Sequence, residues 1–118
     1  MRTHKDLEAW KNSVNLVQDI YQFTGKFPQE ELYGLTNQMR RAAISVPSNI
    51  AEGAARNSGK EFVRFLSVSQ GSLSELETQT IISERLGFLR REESSELLNR
   101  MNLVRAQISG LMKYMRKK

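Results

Sequence analysis

The sequence has no cysteine and only one histidine, His4. Without cysteine the chain forms no disulfide, no thiolate metal site and no cysteine nucleophile. A single histidine also leaves no cluster for zinc or for a di-iron centre, which helical bundles build from paired Glu-x-x-His motifs. We therefore expect neither a metal nor a cofactor in this protein.

Long apolar runs are missing as well. No stretch approaches the roughly 20 residues that cross a bilayer. The first ten residues, MRTHKDLEAW, lack the apolar core of a signal peptide. Together these absences predict a cytoplasmic protein with no membrane partner.

Proline is rare, with two residues, and no useful length of chain alternates apolar and polar residues with a period of two. Strands are therefore not expected. Glycine, asparagine and serine breakers divide the chain into helix-length segments, which we place at 5–24, 31–56, 58–86 and 94–116. Four such helices joined by short connections predict an all-α, antiparallel up-down-up-down four-helix bundle. It fills one domain, residues 1–118.

Local signals refine these helices. Ser58, followed three residues later by Glu61, is a capping box that starts the third helix. Ser94 or Ser95 is the expected cap of the fourth. Pro47 falls in the middle of the second helix, where it removes a backbone donor and crowds the preceding turn, so we predict a kink there.

The first and fourth helices carry apolar residues on two sides. The main stripes, which we expect to face the core, are Leu7, Trp10, Val14, Val17 and Tyr21 in the first helix, and Leu97, Met101, Val104, Ile108, Leu111 and Met115 in the fourth. Leu16 and Phe23 fall opposite the first stripe, and Leu103 and Tyr114 fall opposite the second. We predict that these four form a subunit interface. The alternative is that they are scattered surface apolar residues, which are common.

A polar stripe runs along the second helix beside its apolar one. We interpret its members, together with two acidic residues of the third helix, as structural polar residues that set helix register: Arg41, Ser45, Asn49, Glu52, Glu75 and Glu77. Arg41 is expected to pair with the glutamates, and Arg40 to face solvent. The alternative places both arginines in an exposed phosphate site.

Sequence motifs of catalysis are absent. There is no nucleophile elbow, no Walker A loop and no dinucleotide-binding glycine motif. The acidic pairs, such as Glu92 and Glu93, are adjacent or nearly so and diverge around a helix, so none forms an obvious acid–base pair. We predict that the protein is not an enzyme.

The net charge is +5, with a pI near 9.8, and most of the excess lies in residues 91–118. The candidate contacts to a nucleic-acid backbone are Arg40, Arg56, Lys60, Arg64, Lys113, Arg116, Lys117 and Lys118. Basic residues at a helix C-terminus also complement the helix dipole, which is the alternative explanation for the tail. No aromatic platform is interleaved with these cations, so we expect contacts to the backbone and not to bases.

Two strings carry a resemblance to a known family. They are FPQEELYGLTNQMRRAAISVPSNIAEGAAR at 27–56 and KEFVRFLSVSQGSLSELETQ at 60–79, supported by DLEAWKNSV at 6–14 and LGFL at 86–89. The chain resembles the 23S rRNA intervening-sequence protein family along nearly all of its length. Ala54-Ala55 departs from the larger residue common after the glycine, and the chain is only modestly basic.

The resemblance implies a small bacterial four-helix bundle, with no catalytic residues, that assembles into a homopentamer. It also implies a relation to the accessory variability determinant of diversity-generating retroelements, which binds nucleic acid and a reverse transcriptase. Two functions remain open at this point. One is an oligomer that binds the RNA or DNA backbone, and the other is an oligomeric scaffold for a partner protein.

Overall fold

The computed structural model describes residues 3–117, and this part of the chain contains four α-helices and no strand. The helices are α1 (Glu8–Thr24), α2 (Asn37–Ala54), α3 (Gly59–Arg85) and α4 (Arg91–Arg116). Each helix packs against its neighbours along the chain, and α1 closes the bundle against α4. The molecule measures 46 × 23 × 21 Å. The predicted all-α four-helix bundle is confirmed.

The connection between α1 and α2 differs from the prediction of one helix over 31–56. The chain makes a 3-10 turn at Gln29–Glu31 and a π-turn at Leu32–Thr36 before α2 begins. The helical path breaks at Gly34, where φ and ψ are both −114°. The Glu31 carboxylate stabilises the turn by accepting a hydrogen bond from the Leu35 amide at 3.2 Å. Pro47 lies inside α2, and a kink there stays a prediction.

Of the two predicted helix caps, the one for α3 is confirmed and the one for α4 is wrong. Ser58 caps α3 as expected, since its hydroxyl accepts from the Glu61 amide at 3.1 Å. The predicted start of α4 was wrong, because the helix begins at Arg91 and Ser94 is already buried within it. A carboxylate holds this first turn, with Glu93 accepting from the Arg90 amide at 2.9 Å.

The core confirms the apolar seam of α4, from Leu97 to Ile108. It corrects the face predicted for α1, which buries Ala9, Ser13, Leu16, Ile20 and Thr24. The bulky stripe predicted as core lies at the edge of the bundle instead. Ala9 and Ser13 are small and buried. The buried hydroxyls of Ser13 and Thr24 donate to carbonyls of α1 itself, so burying them leaves no donor unpaired.

Because α1 turns a different face to the core, one residue expected at a subunit interface is buried and another is only partly exposed. Leu16 is 1% exposed and belongs to the core, so it cannot contact a second subunit. Phe23 is half-buried and packs against the core. Leu103 and Tyr114 remain exposed, at 52% and 57%.

Candidate nucleic-acid interface

One end of the bundle gathers cations from separate parts of the sequence. Because α2, α3 and α4 are antiparallel neighbours, the turn between α2 and α3 meets the C-terminus of α4. The contact is close, since a methyl group added at Gly59 would lie 3.3 Å from the Met115 carbonyl oxygen. Lys60 and Arg116, which are 56 positions apart in the sequence, line the same depression of about 490 Å³. We call this the basic end, comprising residues 5–11, 52–64 and 111–117.

Two arginines of the basic end flank one aromatic ring. The guanidinium carbons of Arg56 and Arg64 lie 4.9 Å and 5.3 Å from the centroid of Phe65. Each arginine also meets a carboxylate on its own helix or turn, Glu52 at 3.4 Å and Glu61 at 3.0 Å. Ring and carboxylates hold both guanidinium groups in place and compensate part of their charge.

Six other cations of the basic end have no ion-pair partner among residues 3–117: Lys5, Lys11, Lys60, Lys113, Arg116 and Lys117. The segments that form this end contain eight Lys or Arg against four Asp or Glu. The remaining predicted cation, Lys118, lies outside the described residues. The basic end therefore presents uncompensated positive charge to solvent.

Arg40 and Arg41 exchange the roles that the sequence suggested. Arg40 is half-buried, donates its Nε–H to the Thr24 hydroxyl at 2.9 Å and stacks over the Tyr21 ring at 4.4 Å. Arg41 is exposed and forms no ion pair within the described part of the chain, so the pairing predicted for it with Glu75 or Glu77 is wrong. Arg40 thus joins α1 to α2, and its guanidinium is already engaged.

The rest of the predicted polar stripe connects α2 to α3 through hydroxyl groups. The hydroxyls of Ser72 and Ser45 are hydrogen-bonded at 2.8 Å, and the Asn49 amide donates to the Ser45 carbonyl at 2.8 Å. Buried Ser69 donates to the Val46 carbonyl at 2.9 Å. The bonds of Ser72 and Ser69 cross from α3 to α2 and set the register of the two helices, while the Asn49 bond lies within α2 and fixes the Ser45 turn.

The acidic residues of that stripe do not take part in the contact between α2 and α3. Glu52 pairs with Arg56 on the last turn of α2, and Glu77 pairs with Arg105 of α4 at 3.4 Å. Glu75 is exposed and has no ion pair among residues 3–117. Glu77 therefore helps to join α3 to α4, a role the sequence did not suggest.

Apolar exposure is not confined to α4. On α3, Val68 and Ile82 are more than two-fifths exposed, on the same side as Ser67, Gly71, Ser74 and Thr78, which are also exposed. The signal in the sequence was a third helix with apolar residues on several sides. A helix of that kind is usually covered on several sides, yet here one side is left to solvent.

Residues 3–117 show neither a metal-binding cluster nor a membrane-spanning helix. No group of three or more His, Cys, Asp or Glu side chains in this range is arranged to hold a metal ion. No helix in the same range is long and apolar enough to cross a membrane.

Fold and surface together define a class, a small antiparallel four-helix bundle with one basic end and exposed apolar residues on its outer faces. The 23S rRNA-intervening sequence protein family matches the chain over residues 5–110, and the chain belongs to that family. No curated protein matches it significantly.

Proposed function

We propose that this protein is a non-catalytic homo-oligomer that binds the phosphate backbone of RNA or DNA, without base preference, through its basic end. The observation that carries the proposal is the meeting of Lys60 and Arg116 at one depression, beside Lys113 and Lys117. None of the four is neutralised by a carboxylate within residues 3–117. Unpaired lysine and arginine side chains on one surface are the electrostatic footprint of a backbone-binding protein.

The helix dipole accounts for only part of this arrangement. Lys113 and Arg116 lie in the last turn of α4, where a cation is favourable without any ligand. Lys60, however, lies in the first turn of α3, where the dipole disfavours a cation. A bound phosphate would compensate that unfavourable placement, which supports the nucleic-acid function over dipole complementarity alone.

Self-association would increase the positive charge available for nucleic-acid binding. Leu103 and Tyr114 are large side chains more than half exposed on α4, as expected for residues that a second copy covers. The family resemblance points to a pentamer. Five copies of a chain of net charge +5 would carry about +25, which turns a modest cation cluster into a strong field.

A salt titration with matched charge reversals tests the proposal. The double variant Lys60→Glu/Arg116→Glu is compared with Arg85→Glu/Arg91→Glu, which makes the same change in net charge at the opposite end of the bundle. In filter binding to single-stranded RNA and duplex DNA, the first variant should bind more weakly and its salt slope should fall by about 2 per protomer. The control should bind nearly as wild type. Equal losses in both variants, or no binding by the wild type at about 0.1 M salt, would contradict the proposal.

The second candidate function is an oligomeric scaffold that binds a partner protein, such as a reverse transcriptase, and no nucleic acid. The exposed small residues of α3 favour it, because a methyl group at Gly71 would meet nothing within 4 Å and the backbone there is open to close approach. A scaffold would keep its oligomeric mass in light scattering and give no nucleic-acid shift near physiological salt. Gly71→Arg would block binding of the partner protein and leave the oligomeric mass unchanged.

A further inference from the structure

A second depression lies on the face between α2 and α3, away from the basic end. It has a volume of about 400 Å³, and its lining includes Tyr33, Arg41, Glu75 and Gln79. Arg41 is 15 residues before Arg56, or about 22 Å along a helix. The volume falls within the ~300–1,000 Å³ range of small-molecule sites. The lining combines a ring, a cation, a carboxylate and amides, which is not the composition of a simple anion site.

Tyr33 has the most exposed large apolar side chain described, at 91%. It lies in the π-turn that precedes α2, next to the backbone break at Gly34. The turn places the ring at the rim of the depression. An aromatic ring held free of its own core offers a face for stacking on another planar group.

Three polar side chains of this depression lack the partners they would ordinarily have. Arg41 and Glu75 line it together and neither forms an ion pair within the described residues. The Gln79 Oε1 atom is buried and has no hydrogen-bond partner among residues 3–117. Buried acceptors are nearly always paired, so this unpaired one marks Gln79 as a side chain able to accept a further hydrogen bond.

We propose that this depression binds a single nucleotide, with its base stacked on Tyr33 and its phosphate on Arg41. The carboxylate of Glu75 selects guanine, because the Watson–Crick edge of guanine presents two adjacent N–H donors that one carboxylate accepts together. In its choice of ligand the inference rests on the proposed function, and it adds base recognition at a site separate from the basic end.

Calorimetry with mononucleotides on the full-length protein tests this site. GMP should bind more tightly than AMP, CMP or UMP, and inorganic phosphate should bind at least about tenfold more weakly because it lacks a base to stack. Tyr33→Ala should weaken GMP binding about tenfold or more, whereas Tyr33→Phe should preserve it. Arg41→Gln should weaken GMP but not guanosine, and Glu75→Gln should abolish the preference for guanine. Arg91→Gln, an exposed arginine elsewhere, is the charge control.

The outcomes separate this site from the basic end. Lys60→Glu/Arg116→Glu should retain GMP binding while losing affinity for nucleic acid. If the wild type binds RNA in a salt-dependent way but binds no GMP, the nucleotide site is wrong and the proposed function stands. If it binds GMP but neither RNA nor DNA, the proposed function fails and the site stands. If Tyr33→Ala changes the oligomeric mass and leaves GMP binding intact, the depression is covered by a second copy and the inference is overturned.

Discussion

Arg40 donates its Nε–H to the hydroxyl of Thr24 at 2.9 Å, and that hydroxyl in turn donates to the Ile20 carbonyl at 2.6 Å. The guanidinium also covers the ring of Tyr21. One half-buried side chain of α2 thus joins the last turn of α1 by a charge-assisted hydrogen bond and a stacked ring. The neighbouring Arg41, one residue on, reaches solvent instead.

This difference predicts unequal effects of two identical substitutions. Arg40→Ala should lower the free energy of unfolding by about 1–3 kcal/mol, because it removes the bond to Thr24 and the packing on Tyr21. Arg41→Ala removes the same charge from the exposed neighbour and should change stability by less than about 0.5 kcal/mol. Urea denaturation followed by circular dichroism measures both. Equal losses in the two variants would contradict this prediction, because the contacts of Arg40 with Thr24 and Tyr21 would then add nothing beyond the loss of an exposed arginine.

Glu93 makes stability depend on pH. The hydrogen bond from the Lys26 ammonium at 2.8 Å, and then that from the Arg90 amide, hold the pKa of this carboxyl below its ordinary value, although burial opposes them. A carboxyl with a lowered pKa in the folded state stabilises it above the ordinary value of about 4.5 and loses that effect as the pH falls through the folded pKa.

We therefore expect the stability advantage of wild type over Glu93→Gln to be largest near neutral pH and to shrink as the pH falls below about 4.5. Urea midpoints across this range measure it. Lys26→Met removes the main cause of the pKa shift, so it should flatten the pH dependence while keeping the carboxyl. A wild-type advantage that is constant with pH would contradict the assignment.

Gly53 marks a close approach of α2 to α3. A methyl group there would lie 2.8 Å from the Phe65 Cβ atom and 2.9 Å from the Phe62 Cδ1 atom, so Gly53→Ala should destabilise the bundle by about 1–3 kcal/mol. Gly110→Ala is the control, because it also lies inside a helix but meets nothing within 4 Å. That change should stabilise by about 0.5–1 kcal/mol. Thermal unfolding measures both changes in stability, which should be a loss for Gly53→Ala and a gain for Gly110→Ala.

Leu16 and Leu103 should respond in opposite ways to the same change. Leu16→Asp places a carboxylate in the core and should prevent folding, or cost several kcal/mol. Leu103→Asp lies on an exposed face and should leave the stability of the isolated bundle nearly unchanged, while lowering the mass measured by light scattering. An unaltered mass for Leu103→Asp, with a wild type that is oligomeric, would place the subunit contact on another face.

The number of helices and the cap at Ser58 could be predicted because both depend on neighbours close in sequence. Apolar spacing over four turns identified the seam of α4 for the same reason. The face of α1 could not be predicted. Its bulky residues outnumber the small ones, yet the close approach of other helices selects Ala9 and Ser13 for the centre. That choice depends on shape complementarity between helices and not on hydrophobicity along one of them.

The candidate sites show the same division. The cations of the basic end were identified individually from the sequence, but the meeting of Lys60 with Arg116 follows from the antiparallel packing of α3 and α4. Tyr33 could not be predicted as a site residue, because the sequence predicts a regular helix over 31–56. The only signal was the glycine beside it, and the break at Gly34 is what leaves the ring exposed.

Composition and periodicity by themselves determined the class of fold, four amphipathic helices with short connections, because helix formation and apolar spacing are local properties of the chain. Tertiary structure alone decided which of two adjacent arginines is engaged, which leucine is buried and which cations share a surface. These outcomes depend on the rotation of each helix about its axis. That rotation is set by contacts between residues far apart in sequence. A pattern of neighbouring residues within one helix carries no information about those contacts.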